Sequence, residues 1–394
     1  MKLLLQKLWK NFLAQDWLAI AAVAALLAVG LSFIYSASWR GEEVGIAGAW
    51  FGKQIEWACF GAVLALALAV VDYHVWIRWA WWIWLAAILL LFAVLFFGQK
   101  VFGASRWINL FGILVQPSEF AKLATVILLA RVLGGGYFEP KSFAFLLVGM
   151  LVTALPVFLI LREPDLGTAA ILVPVLVCMV VAGGGAWRYL FGLAGAGAAL
   201  SPLAWLFLGE YQKDRILTFF DPSRDPLGAN WNATQSAIAV GSGGFWGKGF
   251  LHGTHNVLGF FPHTVSPSQG PAPSSTALGF LPRTVSTSDF IFPVIAEETG
   301  FVGSLLLLAL FAFLLFRYLL AAATADDSEG SLLATGIAGL LFFHVFVNIG
   351  MTIRFLPITG LPLPFVSSGG SFLLTMFAGL GLVQSVVVRR AGRE

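Results

Sequence analysis

Four clusters of polar residues stand among long apolar runs, and ionisable groups in such surroundings are costly enough to need a reason. The first is Gly103-Ala104-Ser105-Arg106-Trp107, followed by Gln116-Pro117-Ser118-Glu119-Phe120-Ala121-Lys122. Glu119 and Lys122 are three residues apart, so on a helix they share a face and pair, either as a structural anchor at a helix end or as part of a charged site. The second is Arg162-Glu163-Pro164-Asp165-Leu166-Gly167-Thr168, where Asp165 stands at the start of an apolar run and is placed to cap exposed backbone N–H groups. The third is Asp289-Phe290-Ile291-Phe292-Pro293-Val294-Ile295-Ala296-Glu297-Glu298. One carboxylate opens that run and two more follow about two helical turns on; a capping role explains Asp289 as well as catalysis does. The fourth is Pro357-Ile358-Thr359-Gly360-Leu361-Pro362-Leu363-Pro364-Phe365-Val366-Ser367-Ser368-Gly369-Gly370-Ser371. Prolines and glycines this dense forbid a regular helix, yet the segment is strongly apolar. Irregular backbone between two membrane spans is tolerated only under a cover of protein or beside a watery cavity, so the segment is expected to line a site rather than to form a surface loop.

Other patterns carry less. His252 and His255 have HxxH spacing without a flanking carboxylate, which does not make a metal site. Asn232-Ala233-Thr234 matches a glycosylation sequon, a pattern common by chance. The chain has no Walker loop, dinucleotide fingerprint or nucleophile elbow, so the energy for any reaction comes from the substrate or from a gradient. A formal charge of +3 is too small to argue for nucleic acid. Cys59 and Cys178 both lie in apolar runs and indicate no disulfide scaffold.

The elements that must position these clusters are membrane spans. Apolar residues make up 59% of the chain and charged residues 11%, against about 25% charged in soluble domains. The expected spans are 17–37, 51–71, 79–97, 119–133, 143–161, 167–184, 186–208, 300–323, 331–353 and 371–388. The fold class is therefore an all-α integral membrane protein with about ten transmembrane helices. Gly183, Gly184 and Gly185 form a tight turn that makes the sixth and seventh spans antiparallel neighbours, and Gly192, Gly195 and Gly197 suit close helix packing. Lys2, Lys7 and Lys10 near one end and Arg389, Arg390 and Arg393 at the other put both termini on the cytoplasmic side. Arg106, Arg162, Lys213, Arg215, Arg224, Lys248, Arg283 and Arg354 then fall on the outer side, where an anionic ligand would explain them.

A large extracytoplasmic loop, 209–289, joins the seventh and eighth spans, rich in Gly, Pro, Ser and Thr. Within it Leu258-Gly259-Phe260-Phe261-Pro262-His263-Thr264-Val265-Ser266 recurs as Leu278-Gly279-Phe280-Leu281-Pro282-Arg283-Thr284-Val285-Ser286. Two copies are a segment duplication, not a solenoid. The first, 258–268, continues into Gln269, whereas the second, 278–288, delivers the Asp289 carboxylate to an apolar run.

Together the four clusters, in this order and over nearly the whole chain, resemble the SEDS family (shape, elongation, division and sporulation) of bacterial peptidoglycan glycosyltransferases. Gly247-Lys248-Gly249-Phe250-Leu251-His252-Gly253-Thr254, and Gly350-Met351-Thr352 with Thr359-Gly360-Leu361-Pro362-Leu363-Pro364-Phe365, are similar to the elongation (RodA) rather than the division (FtsW) members. The family usually has His-Thr where Thr287 and Ser288 stand, a tyrosine at Ser368, and commonly a glycine at Arg354. The resemblance implies polymerisation of lipid II, a disaccharide-pentapeptide on a polyprenyl diphosphate, with inversion at the anomeric carbon. It implies Asp289 as general base, with Arg106, Lys122, Glu119, Asp165, Arg215, Lys248, Arg283 and Ser367 as substrate-binding candidates. A divalent cation, Mg or Mn, held through one carboxylate and substrate phosphates would need no protein cage, and no organic cofactor is expected. It also implies a class B penicillin-binding protein as transpeptidase partner, the elongation complex as setting, and the bacterial inner membrane as location. A lipid II flippase or transporter and a non-catalytic scaffold for the transpeptidase fit the same residues. Deleting residues 258–277 leaves one complete copy of the duplicated segment, so the purified variant is expected to keep polymerising lipid II; loss of glycan product would show that the extra segment belongs to the site.

Overall fold

The structure, a computed structural model, describes residues 11–38, 44–101, 104–110, 113–207, 209–221, 229–253 and 287–390. The helices are α1 (Trp17–Ser38), α2 (Val44–Val70), α3 (Tyr73–Arg78), α4 (Ala80–Phe97), α5 (Pro117–Gly134), α6 (Phe143–Arg162), α7 (Leu166–Ala182), α8 (Trp187–Phe207), α9 (Glu210–Phe220), α10 (Ala229–Ser242), α11 (Ile291–Ala323), α12 (Ser328–Thr352) and α13 (Gly370–Arg390). Every expected span lies wholly or mainly within one of them, and seven are long and apolar enough to cross a membrane. The rest of the wrapping follows from apolar faces: α13 packs on α2, α12 on α5, α7 and α11, and α11 on α1.

The helical membrane fold is as expected, with one addition and three differences of detail. Besides the helices, β1 (Gln99–Val101), β2 (Ala104–Leu110) and β3 (Ile113–Val115) form an antiparallel sheet of three strands between α4 and α5. The eighth span begins nine residues earlier than its apolar run suggests, at Ile291 rather than 300, because α11 continues through a break at Gly300 (φ 68, ψ −161). There a β-carbon would sit 2.3 Å from Gly247 N, so only glycine fits. Among its described residues the large connection contains two helices, α9 and α10. The α8 glycines pack against no described residue: a β-carbon added at Gly192, Gly195 or Gly197 would meet nothing within 4 Å. The duplicated segments, apart from Thr287 and Ser288, lie outside the described residues, as do Lys2, Lys7, Lys10, Arg224, Arg283 and Arg393.

Two polar pairs fix the depth of the bundle. Asp16 at the start of α1 accepts from Arg317 Nε at 2.8 Å, and Ser36 near its end donates to Glu298 at 2.5 Å. Both pairs tie α1 to α11. The intervening 20 and 19 residues rise about 30 Å at about 1.5 Å each, the thickness of a hydrocarbon core. The start of α1 and the C-terminal part of α13, where Gln384 meets the Asp16 backbone, thus share one end of the bundle, and the third cluster lies at the other.

At the terminal end, Asp327 caps α12 by accepting from Gly330 N at 2.7 Å. Tyr73 OH donates to its other oxygen at 2.9 Å. His74 bridges Asp72 at 2.8 Å and Asp327 at 2.7 Å, joining the α2–α3 turn to α12. Burial disfavours the His74 charge, but hydrogen bonds and attraction from the two carboxylates outweigh it and raise its pKa above 6.5. Stability gained from this bridge is complete below the unfolded value of about 6.5 and is lost as pH rises through the higher folded value. Because the bridge is partly exposed, it is worth about 1 kcal/mol or less. His74→Asn is therefore expected to lower Tm more below pH 6.5 than at pH 9, a difference absent if the imidazolium plays no part.

Candidate active site

Asp289 stands at the end of a turn, Thr287 to Phe290, that leads into α11. Phe290, not Asp289, occupies the cap position of α11, and its side chain makes no capping hydrogen bond. The turn rests on an irregular strap running from Ile353 to Gly369, whose central part is buried: Leu361, Leu363, Phe365, Val366 and Ser367 are each 2% exposed or less. The strap makes its turns with unusual backbone, including Arg354 (φ 61), Gly360 (φ 74) and Phe365 (φ 62). At Gly360 a β-carbon would point at Asp289 Oδ2, 3.3 Å away, so a glycine keeps the space over the carboxylate open.

The strap and the turn are clipped together residue by residue. Ser368 N donates to Thr287 O at 2.9 Å, and the two hydroxyls lie 3.2 Å apart. Ser367 Oγ donates to Ser288 O at 2.5 Å and accepts from Leu363 N at 2.7 Å. From α2, Gln54 donates to Ser367 O at 3.1 Å and accepts from Gly369 N at 3.4 Å. Ser367 is thus a brace for the turn, committed to protein partners, rather than a group open to a ligand.

Asp165 lies on the other side of the strap. It caps α7, accepting from Thr168 N at 3.1 Å and from Thr168 Oγ1 at 2.9 Å, and Gln116 Nε2 reaches it at 3.3 Å. Two residues on, a β-carbon at Gly167 would fall 2.8 Å from Thr359 O, so α7 begins directly against the strap. Arg106, presented by β2, spans the α6–α7 turn: Nε donates to Glu163 O at 3.1 Å, Nη2 to Pro164 O, and Nη1 lies 3.9 Å from Asp165. The Glu163 carboxylate is buried and neither oxygen has a hydrogen-bond partner among the described residues. Burial pushes its pKa to about 8, with the Asp165 charge adding to the rise and Arg106 opposing it.

The remaining candidates divide. Lys122 has no exposure; its Nζ lies 2.8 Å from Glu119, 2.8 Å from His344 Nε2 and 5.6 Å from the centre of the Phe372 ring. The structure places Glu119 and Lys122 as an ion pair inside the bundle, not as a cation facing outward. Lys248 is partly exposed and donates to Glu297 at 2.6 Å. Its loop also closes the end of the first α11 segment, where Lys248 N donates to Glu297 O at 2.9 Å and Gly249 N to Glu298 O at 3.0 Å. Arg215 lies on α9 with its side chain outside the described residues, and Arg283 lies wholly outside them. The sequence reading passed over Gln54, His344 and Asn348, polar groups whose partners are distant in the chain.

A family model described as cell cycle protein, FtsW/RodA/SpoVE, matches residues 16–266 and 269–391. The chain belongs to this family. The SEDS resemblance is thereby confirmed over nearly its full length. It is 37% identical to the peptidoglycan glycosyltransferase MrdB of Escherichia coli K12, over 93% of this chain and 91% of that one. It is 30% identical to the peptidoglycan glycosyltransferase RodA of Treponema pallidum, over 95% and 98%. Among solved structures it is similar to a chain of a peptidoglycan synthase complex that coordinates polymerisation and crosslinking (TM-score 0.77, 31% identity, 96% of this chain and 99% of that one). It is also similar to the rod shape determining protein RodA of Thermus thermophilus (TM-score 0.67, 29% identity, 96% and 99%).

Breaking a buried ion pair from one side strands the other charge and costs about 3–5 kcal/mol, whereas replacing both partners by neutral groups costs little. Lys122→Met is therefore expected to lower thermal stability sharply and Glu119→Gln/Lys122→Met to recover most of it; a double variant as unstable as the single would refute the pairing.

Proposed function

We propose that the chain is a peptidoglycan glycosyltransferase that polymerises lipid II, with Asp289 as its general base. One observation carries this choice of base. Glu119, Glu163, Asp165, Glu297 and Glu298 are each 3% exposed or less, while Asp289 keeps access at the mouth of the bundle. It is the carboxylate among these that a sugar can reach.

In the reaction an acceptor saccharide hydroxyl loses its proton to the Asp289 carboxylate as its oxygen attacks the anomeric carbon of the donor. The glycosidic bond forms on the face opposite the leaving group, the carbon–oxygen bond to the lipid diphosphate breaks, and its electron pair departs with the diphosphate. A hydroxyl is a poor nucleophile near neutral pH, and a positioned base contributes about 10²–10⁴-fold. The strap keeps the carboxylate fixed without covering it.

Charge on the departing diphosphate calls for cations at the same end of the bundle. Arg106 and Lys248 retain 18% and 29% of their side-chain surface while anchored to protein, and so supply fixed positive charge. Arg215 and Arg283 belong to the same outer set by sequence. A divalent cation would find oxygen donors at Asp165 and at Glu163, whose buried oxygens have no partner among the described residues. Such an ion would neutralise diphosphate charge when bound.

With the termini at the cytoplasmic face, Asp289 lies at the outer face of the inner membrane, where lipid II presents its sugars. The elongation complex is the setting, and a class B penicillin-binding protein crosslinks the strands this chain makes.

Asp289→Asn is expected to lower polymerisation of lipid II by about 10²-fold or more in purified protein, with insertion and Tm unchanged. Glycan strands made at the wild-type rate would remove the base, and wild-type protein that moves lipid II between leaflets without joining it would favour a flippase.

A further inference from the structure

Two fully buried polar side chains, His344 and Asn348, lie one turn apart on the face of α12 that meets the strap. His344 Nε2 accepts from the Lys122 ammonium, which leaves the ring proton on Nδ1, 3.4 Å from the Pro362 carbonyl oxygen. Asn348 does more. Its Nδ2 donates to Leu361 O at 2.7 Å and to Asp289 O at 2.9 Å. Two carbonyls require a group with two hydrogens, and this fixes which way the amide is turned. One NH₂ group therefore ties the peptide that follows the Asp289 side chain to the strap residue next to Gly360. The pull on the Asp289 backbone and the gap above its carboxylate are set by the same two neighbouring strap residues.

We infer that Asn348 is a positioning residue for Asp289, holding the base at a fixed height over the strap through its main-chain carbonyl. This inference rests on Asp289 being the base. Without the amide, the Asp289 carbonyl and the Leu361 carbonyl face each other across an unfilled gap and repel. The turn then shifts, and the carboxylate with it. A misplacement of about 1 Å is enough to cost about 10²-fold in rate. Substrate contacts elsewhere are untouched, so the loss falls on kcat rather than on KM.

Lipid II polymerisation by Asn348→Ala, Asn348→Ser and Asn348→Asp, measured beside wild type and Asp289→Asn, tests this. Asn348→Ala is expected to lower kcat about 10²-fold with little change in KM, and Asn348→Ser, which keeps one donor, to fall between it and wild type. Asn348→Asp sets an ionised carboxylate against two carbonyl oxygens but regains one donor when protonated, so its rate relative to wild type is expected to rise as pH falls. The same ratio for Asn348→Ala should stay flat. Wild-type turnover by Asn348→Ala beside an inactive Asp289→Asn would overturn the positioning role and leave the base in place. An active Asp289→Asn would instead overturn the base. Should Asn348→Ala fail to accumulate in membranes, the rate of carbodiimide labelling of Asp289 in Asn348→Ser decides independently of turnover: a rate shifted from wild type is expected, and an unchanged rate refutes the inference.

Discussion

The architecture depends on burying a length of irregular backbone inside a membrane bundle. Each unpaired N–H or C=O in such a place costs several kcal/mol, so the strap from Ile353 to Gly369 exists only because its polar groups are met by protein. Asn348 meets Leu361 O, Ser367 Oγ meets Leu363 N, Gln54 meets Ser367 O and Gly369 N, and the Thr287 carbonyl meets Ser368 N. These groups come from α12, the strap itself, α2 and the turn before α11. The strap is consequently a junction of three helices, and the turn bearing Asp289 is one of the pieces it holds. The break at Gly300 belongs to the same economy, since it frees carbonyls at Glu297 and Glu298 that the Lys248–Gly249 backbone then caps.

Charge placement follows from this frame. Glu119, Glu297 and Glu298 are each neutralised or hydrogen-bonded where they lie, by Lys122, by Lys248, and by Ser36 with Leu251 N. Asp165 is absorbed into a helix cap. Glu163 is the exception, since its buried oxygens have no partner among the described residues and burial pushes its pKa up to about 8. Asp289 differs from all of these in being only partly buried.

Much of this was legible in the sequence because membrane spans and dense proline and glycine leave strong local signals. The expected spans are helices, Asp165 does cap, Glu119 and Lys122 do pair, and the Pro357–Ser371 segment does lie beside Asp289. What stayed hidden depended on partners far away in the chain. An apolar run places a span but not its start, so the first nine residues of α11, packed under the Gly243–Gly253 loop, read as a connection. Arg106-Trp107-Ile108-Asn109-Leu110 is too short to declare a strand until β1 and β3 pair with it. Lys122 gave no sign of depth, because burial is set by α12 and α13 supplying His344 and Phe372. Asn348 looked like one polar residue in an apolar helix; its meaning lies in two carbonyls, 59 and 13 residues away.

Two of the departures from the usual family pattern meet beside the site and bear on how it tolerates change. Thr287 and Ser368 stand where histidine and tyrosine are usual, and in the structure they touch each other, hydroxyl to hydroxyl at 3.2 Å. Both positions carry smaller side chains at a single contact, which is how a packed interface accommodates paired substitution without a void of one-sided origin. The bond that sets the register beneath them, Ser368 N to Thr287 O, uses backbone atoms alone and does not depend on either side chain. Ser367 Oγ to Ser288 O and Asn348 Nδ2 to Asp289 O likewise grip carbonyls of the turn, here through side-chain donors. A turn held through its backbone carbonyls can therefore keep its place while the side chains at Thr287 and Ser288 vary, and its position depends on the groups that reach in: Gln54, Asn348 and Ser367.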